Sequence, residues 1–209
     1  MERLRVIELG NSNNLGPISF TVSHSECICI SGSSGAGKTR LLRAIADLDP
    51  HTGETFLDGV KSTLYSPPMW RKEVGFLPAK SNWWYETVGQ HFYNTNELPF
   101  EMLGFNSSVL DWPVVRLSTG ERHRLAILRL LSNKGKVLLL DEPTAALDPE
   151  NIMRVEKIVQ TYRQYNEAAV VWVSHDLAQI QRISTRHYIL DDGKITVQKA
   201  YESDNLKRN

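Results

Sequence analysis

Eight consecutive residues, Gly32-Ser33-Ser34-Gly35-Ala36-Gly37-Lys38-Thr39, have the types and spacing to cradle phosphate. They fit the pattern G-x-x-x-x-G-K-[ST] and lie between a strand-like apolar segment and a helical one, the setting this pattern requires. Glycines let backbone N–H groups curl around phosphate oxygens, and the helix that follows turns its positive end toward the same anion. In such a loop Lys38 reaches the β- and γ-phosphates of a nucleotide, and the Thr39 hydroxyl ligates Mg²⁺. A plain Gly-rich turn is the competing reading, and the complete pattern in its strand–helix setting outweighs it.

A second group is Val137-Leu138-Leu139-Leu140-Asp141-Glu142. Four apolar residues predict a buried strand, and two carboxylates stand at its end. Strand ends in α/β sheets line the ligand crevice. There Asp141 would bind Mg²⁺ and Glu142 would polarise an attacking water. Taken alone, the segment is equally a strand closing in a charged turn, Glu142-Pro143; a phosphate loop in the same chain favours the catalytic reading. A third group, Leu117-Ser118-Thr119-Gly120-Glu121, is a capping box, with Ser118 three residues before Glu121 at a helix start. The same helix start exposes N–H groups that suit a second phosphate contact.

The elements that must hold these groups follow from periodicity and turn residues. Residues 4–9 and 18–22 are predicted strands on either side of a polar loop at 11–14. Residues 27–31 are a buried strand leading into the Gly/Ser loop, and 37–47 a helix. A short strand at 55–57 ends in Asp58-Gly59. From 117 onward the order is helix, buried strand (137–141), helix (149–165), buried strand (169–173) and helix (176–183), which implies a parallel sheet with helices on its faces. Residues 187–190 and 194–197, joined at Asp191-Asp192-Gly193, read as a closing hairpin. Residues 81–116 hold eight of the eighteen aromatics and read as a small inserted helical subdomain.

Composition bounds the function. The chain has 209 residues, 41% hydrophobic and 23% charged, with Lys+Arg and Asp+Glu equal at 24 each. That balance fits a globular protein with a substantial core and excludes collagen, a disulfide scaffold and intrinsic disorder. Zero net charge offers no broad basic field for nucleic acid, and no nucleic-acid partner is expected. No apolar run approaches the roughly 18–20 residues that span a bilayer, and Met1-Glu2-Arg3-Leu4 lacks the order of a secretory signal. Cys27 and Cys29, two apart on one strand face, read as small apolar packing groups rather than metal ligands. A reducing cytosol is the expected compartment.

In their ordered set these segments resemble the nucleotide-binding subunit of an ATP-binding cassette (ABC) transporter. The phosphate loop at 32–39 is followed by the signature at 117–121, the strand-end carboxylates at 141–142, then Ala145-Ala146-Leu147-Asp148 and Val173-Ser174-His175-Asp176. The likeness runs from about residue 15 to 195. It implies a P-loop NTPase of the ABC type, α/β, with a mostly parallel sheet, an antiparallel β-subdomain and the inserted helical subdomain, in one ATPase domain over 1–209. It also implies a head-to-tail dimer with a second copy or a related subunit, holding two ATP with Mg²⁺ at the interface. Ser118 and Gly120 would then touch the γ-phosphate in trans. Asp148 matches the loop that crosses between subunits, although Asp148-Pro149-Glu150 is also a good helix start. His175 matches the family's switch histidine, which hydrogen-bonds the γ-phosphate and helps place the water. The partner would be a separate transmembrane permease, so the subunit is expected at the cytoplasmic face of a membrane.

Two departures stand out. Ala79, in Gly75-Phe76-Leu77-Pro78-Ala79, replaces the family's usual glutamine, which couples the Mg²⁺ site to the membrane partner. No aromatic precedes Phe20, where the family usually stacks adenine. Thr119 and Glu121 replace the usual Gly and Gln, and both suit a helix start. Residues 79–85 with the helical subdomain form the expected docking groove; Trp83, Trp84 and Tyr85 would serve it equally as contact residues or as subdomain core. A soluble ABC ATPase serving a cytosolic assembly, such as a metallocluster scaffold, is the alternative function.

Overall fold

Strand β3 (Cys27–Ser31) is buried on both faces, and its alternation divides the molecule into two cores. Ile28 and Ile30 face one core; Cys27 and Cys29 face the other. The computed structural model describes residues 1–11, 15–93, 95 and 98–198; residues 12–14 of the expected polar loop lie outside the described residues. β7 (Val137–Asp141) and β8 (Ala169–Val173) alternate in the same way, which is why their sequences are unbroken apolar runs.

The larger sheet has six strands in the order β10-β9-β3-β8-β7-β6, where β6 is Val74–Leu77, β9 Arg186–Asp191 and β10 Lys194–Gln198. All neighbours are parallel except the β9–β10 hairpin. β1 (Glu2–Asn11), β2 (Leu15–Ser23), β4 (Thr52–Leu57) and β5 (Val60–Lys61) form a separate antiparallel sheet. Its apolar face, with α1 (Lys38–Ile45), closes the first core. On the opposite side of the parallel sheet lie α3 (Thr119–Ser132), α4 (Pro149–Tyr165) and α5 (Leu177–Ile183), which bury Leu125, Leu128, Val155, Ile158 and Ile180. No helix among the described residues is long and apolar enough to cross a membrane.

The sequence expectations omitted β6, and two further local features differ from them. α2 (Pro67–Glu73) lay unrecognised; it starts on Ser66-Pro67 and buries Trp70, whose indole N–H donates to the Ile45 carbonyl at 2.9 Å. Residues 81–116 contain four 3-10 turns, at Gly89–His91, Phe100–Leu103, Ser107–Asp111 and Val114–Arg116, and no α-helix among the described residues. Pro99, Pro113 and Gly104 (φ 77°) interrupt any longer helical run. The turns bury Phe100, Leu103, Val109 and Val114 in the second core.

His91 organises the loop before the first of these turns. Its Nε2 accepts the backbone N–H of both Trp84 and Tyr85 at 3.0 Å, so Nδ1 carries the proton and donates to the Thr87 carbonyl at 3.0 Å. Burial holds its pKa below the ordinary histidine range, in keeping with this neutral ring. Trp83 packs against the second core, whereas Trp84 is 63% and Tyr85 52% exposed. The aromatic triplet therefore divides: one ring supports the subdomain and two face outward.

Candidate functional site

Strand order brings three distant segments together. β8 lies between β3 and β7 in parallel pairing, so the loops that leave these three strands emerge side by side at the C-terminal end of the sheet. The phosphate loop follows β3, Asp141-Glu142 closes β7, and Ser174-His175 follows β8. Glu142 N–H bonds back to the Val173 carbonyl at 3.2 Å, which stitches the second segment to the third.

In the phosphate loop Gly32 has φ 149°, and a Cβ there would stand 2.1 Å from the Leu190 carbonyl oxygen. No other residue fits that backbone. Gly37 caps α1 in the left-handed conformation with no side-chain bond to the helix, so the first N–H groups of α1 stay open to an anion. Lys38 Nζ donates to the carbonyls of Gly32 and Ser33 at 2.9 and 3.0 Å. Burial lowers its pKa, and the nearby Glu142 and Asp141 charges partly offset this. Ser34, Gly35, Gly37, Lys38, Thr39 and Arg40 with Glu142 and His175 line a cavity of about 200 Å³. Arg40 is a cation at this site that its position in the sequence did not single out.

Thr39 Oγ1 donates to Asp141 Oδ2 at 2.7 Å. Burial raises the Asp141 pKa; the Thr39 hydroxyl, the Lys38 charge and the backbone N–H of Ala79 each lower it. His175 Nε2 lies 3.0 Å from Glu142 Oε1. Glu142 itself holds φ 48°, a left-handed conformation that a non-glycine residue keeps only when its surroundings enforce it.

Ser118, Gly120 and Asp148 stand elsewhere. Ser118 caps α3 by accepting the Glu121 N–H at 3.2 Å, while the Glu121 carboxylate accepts the Ser118 N–H at 2.8 Å. Gly120 lies against Leu147 and the Ala146 carbonyl. Asp148 caps α4, accepting the N–H of Asn151 at 3.0 Å. None of the three lines the phosphate-loop cavity. One chain therefore unites Gly32 to Thr39, Asp141, Glu142 and His175, and keeps the other three apart from them.

The ABC transporter family model matches residues 15–145, well over half of the chain. The chain belongs to the ABC transporter family. This ABC ATPase is 34% identical over 196 residues to the thiamine import ATP-binding protein ThiQ of Escherichia coli O157:H7, covering 86% of this chain and 83% of that one. It is 31% identical over 196 residues to the aliphatic sulfonates import ATP-binding protein SsuB 1 of Nocardia farcinica, covering 91% and 77%. The probable iron export ATP-binding protein FetA of Escherichia coli K12 is 30% identical over 184 residues, covering 82% of each chain. Among solved structures, an ATP-binding subunit of an ABC transporter superposes with TM-score 0.83 at 22% identity, over 94% of this chain and 89% of that one. A dimeric ATP-binding cassette in a post-hydrolysis state with ADP and Pi gives 0.80, also at 22%, over 95% and 99%. The two-sheet α/β architecture of the ABC ATPases is thereby established, and ATP binding and hydrolysis go with the family.

Proposed function

We propose that two copies of this chain, or one copy and a related subunit, close head to tail around two ATP molecules and drive a separate membrane-spanning permease. The observation that carries this reading is the division of the site. The phosphate loop, Glu142 and His175 share one cavity, with Asp141 bonded to Thr39 on its wall, while Ser118 and Gly120 offer a capped helix start that their own phosphate loop does not use. A second subunit turned head to tail would complete each site with those groups, and Asp148 would sit in the segment that crosses between them. The relatives supply the transport setting: their names describe import and export ATP-binding proteins, and one solved neighbour is a dimer bound to ADP and Pi.

Within a site, backbone N–H groups of residues 32–39 and the Lys38 ammonium hold the β- and γ-phosphates. Glu142 accepts the proton of the attacking water, and His175, fixed against Glu142, holds that carboxylate and the γ-phosphate in register. The hydroxyl of Thr39 beside the carboxylate of Asp141 suits Mg²⁺, a hard cation that takes few protein oxygens and shares the rest of its shell with phosphate and water. When bound, Mg²⁺ neutralises charge on the phosphate oxygens. Trp84 and Tyr85 are the outward rings for permease docking, within one ATPase unit spanning 1–209, at the cytoplasmic face.

Lys38→Ala tests the ATPase half. Turnover falls to background while circular dichroism stays unchanged; a folded Lys38→Ala protein with near wild-type turnover refutes the phosphate-loop assignment. Co-purification in detergent tests the transport half: an integral membrane protein is retained with the wild-type chain and lost when Trp84 and Tyr85 are both changed to Ala. Retention of only soluble partners would favour the cytosolic-assembly role.

A further inference from the structure

Behind Glu142 and His175 lies a polar cluster that their chemistry does not itself require. Gln179, on α5, is 1% exposed, and Thr144, Ser174 and Glu156 are also buried. Gln179 Nε2 donates to Glu156 Oε1 at 2.9 Å and approaches Thr144 Oγ1 at 3.1 Å. Its Oε1 accepts from Ser174 Oγ at 2.9 Å. The Glu156 carboxylate only accepts, which fixes the orientation of the amide. Arg182 forks onto that carboxylate, with Nε to Oε2 at 3.0 Å and Nη2 to Oε1 at 2.7 Å. Ser174 Oγ in turn accepts the N–H of Asp176 at 3.1 Å.

We propose that Gln179 is a positioning residue for hydrolysis: it fixes the 3.0 Å approach of His175 to Glu142 from behind. Thr144 is two residues past Glu142, and Ser174 immediately precedes His175. One amide therefore holds both loops at the points where they leave the reacting side chains. Glu156 and Arg182 anchor that amide to α4 and α5. The left-handed backbone of Glu142 needs such surroundings, because its conformation is costly and persists only where neighbouring contacts over-determine it. Apolar packing would fill the same volume between the helices. A buried amide is unfavourable unless fully bonded, and here each polar atom of Gln179 has a partner that belongs to, or anchors, the two loops.

The inference rests on reading Glu142 and His175 as the hydrolytic pair, and the test separates the two claims. Gln179→Leu keeps the bulk and removes the amide; Ser174→Ala and Thr144→Val each cut one tether. Phosphate release and ATP affinity are measured for each variant, alone and combined with Glu142→Gln. We expect kcat of Gln179→Leu to fall about 10–100-fold, the range that follows from displacing a reacting group by about 1 Å. KM and Kd for ATP should stay within about twofold, because the phosphate loop lies outside the cluster. Where Gln179→Leu does not fold, Ser174→Ala carries the test, with the same split between kcat and KM. Adding Gln179→Leu to Glu142→Gln should cost nothing further, since residues that act through one group are not additive. Wild-type kcat in a folded Gln179→Leu or Ser174→Ala protein overturns the proposal. So does an equal loss in the Glu142→Gln background, or a matching loss of ATP affinity. Near wild-type turnover in Glu142→Gln alone would instead overturn the hydrolytic reading beneath it.

Discussion

Glu142→Gln separates binding from hydrolysis at a single atom. The substitution keeps the length of the side chain, and its amide can still meet His175 Nε2, now 3.0 Å from Oε1. What is lost, on the proposed mechanism, is the proton acceptor, and with it one negative charge. Loss of a general base lowers turnover by roughly 10²–10⁴-fold, or about 3–5 kcal/mol of barrier. ATP binding survives, because Lys38, the loop amides and the Thr39–Asp141 pair are untouched. In the proposed complex the lost charge also faces the γ-phosphate across the cavity that Glu142 lines. At roughly 5 Å, two unit charges repel by about 1 kcal/mol in water and about 3 kcal/mol at an effective dielectric constant near 20. Removing that repulsion favours the closed, ATP-filled dimer by one to two powers of ten. Light scattering after size exclusion, with and without ATP, should show Glu142→Gln as a dimer only with ATP. Adding Ser118→Arg should return it to monomer, since the side chain would block the phosphate contact in trans. A Glu142→Gln protein that binds ATP by calorimetry yet stays monomeric at high concentration, with or without the permease, refutes the sandwich.

Three further outcomes follow. Leu15 rather than an aromatic ring lies beside Gly37, so ATP and GTP should bind within roughly tenfold of each other, about 1.4 kcal/mol by calorimetry; a hundredfold preference for ATP would reveal another platform for the base. Ala79→Gln should raise basal hydrolysis by restoring a side-chain amide at this position; an unchanged or lower rate would mean that the shell around the Mg²⁺ site is already complete without it. Burial raises the Asp141 pKa, so the folded state holds this proton to higher pH than the unfolded chain and loses stability as pH rises through the folded value. Asp141→Asn should therefore raise the Tm of the nucleotide-free protein at neutral pH while abolishing Mg²⁺-dependent turnover; a lower Tm would show that the charge stabilises the fold.

Much of the site could be read before any coordinates, because phosphate binding imposes strict local rules. Gly32 and Gly37 need backbone that only glycine adopts comfortably, and Lys38 and Thr39 must follow at once, so the motif is contiguous. The caps at Ser118 and Asp148 are equally local. The order β3-β8-β7 is not: pairing between segments over a hundred residues apart decides which loops meet, and residue spacing along the chain does not encode it. Gln179 stayed hidden for the same reason. Four residues past His175, it looks like an ordinary polar helix position, while its partners Thr144 and Glu156 are 35 and 23 residues away. Residues 81–116 misled in another way. Their aromatic content read as a helical subdomain, but Pro99, Pro113 and Gly104 hold the chain in single turns.

The ring of His91 bears on how firmly the outer face is held. A loop between strand and turn normally leaves its N–H groups to water and samples many shapes, yet here one imidazole engages three backbone groups of residues 84–87 at once. Trp84 and Tyr85 are thus presented on a backbone already set in one shape. Side chains frozen at an interface commonly cost about 0.5–1.5 kcal/mol each, and loop ordering adds to that. With the loop ordered in advance, an incoming helix or loop meets a template whose backbone entropy has already been lost. For a permease docked there as proposed, affinity then depends on fit to two rings rather than on ordering the loop, and movement of the ATPase would pass through that contact as through a rigid lever.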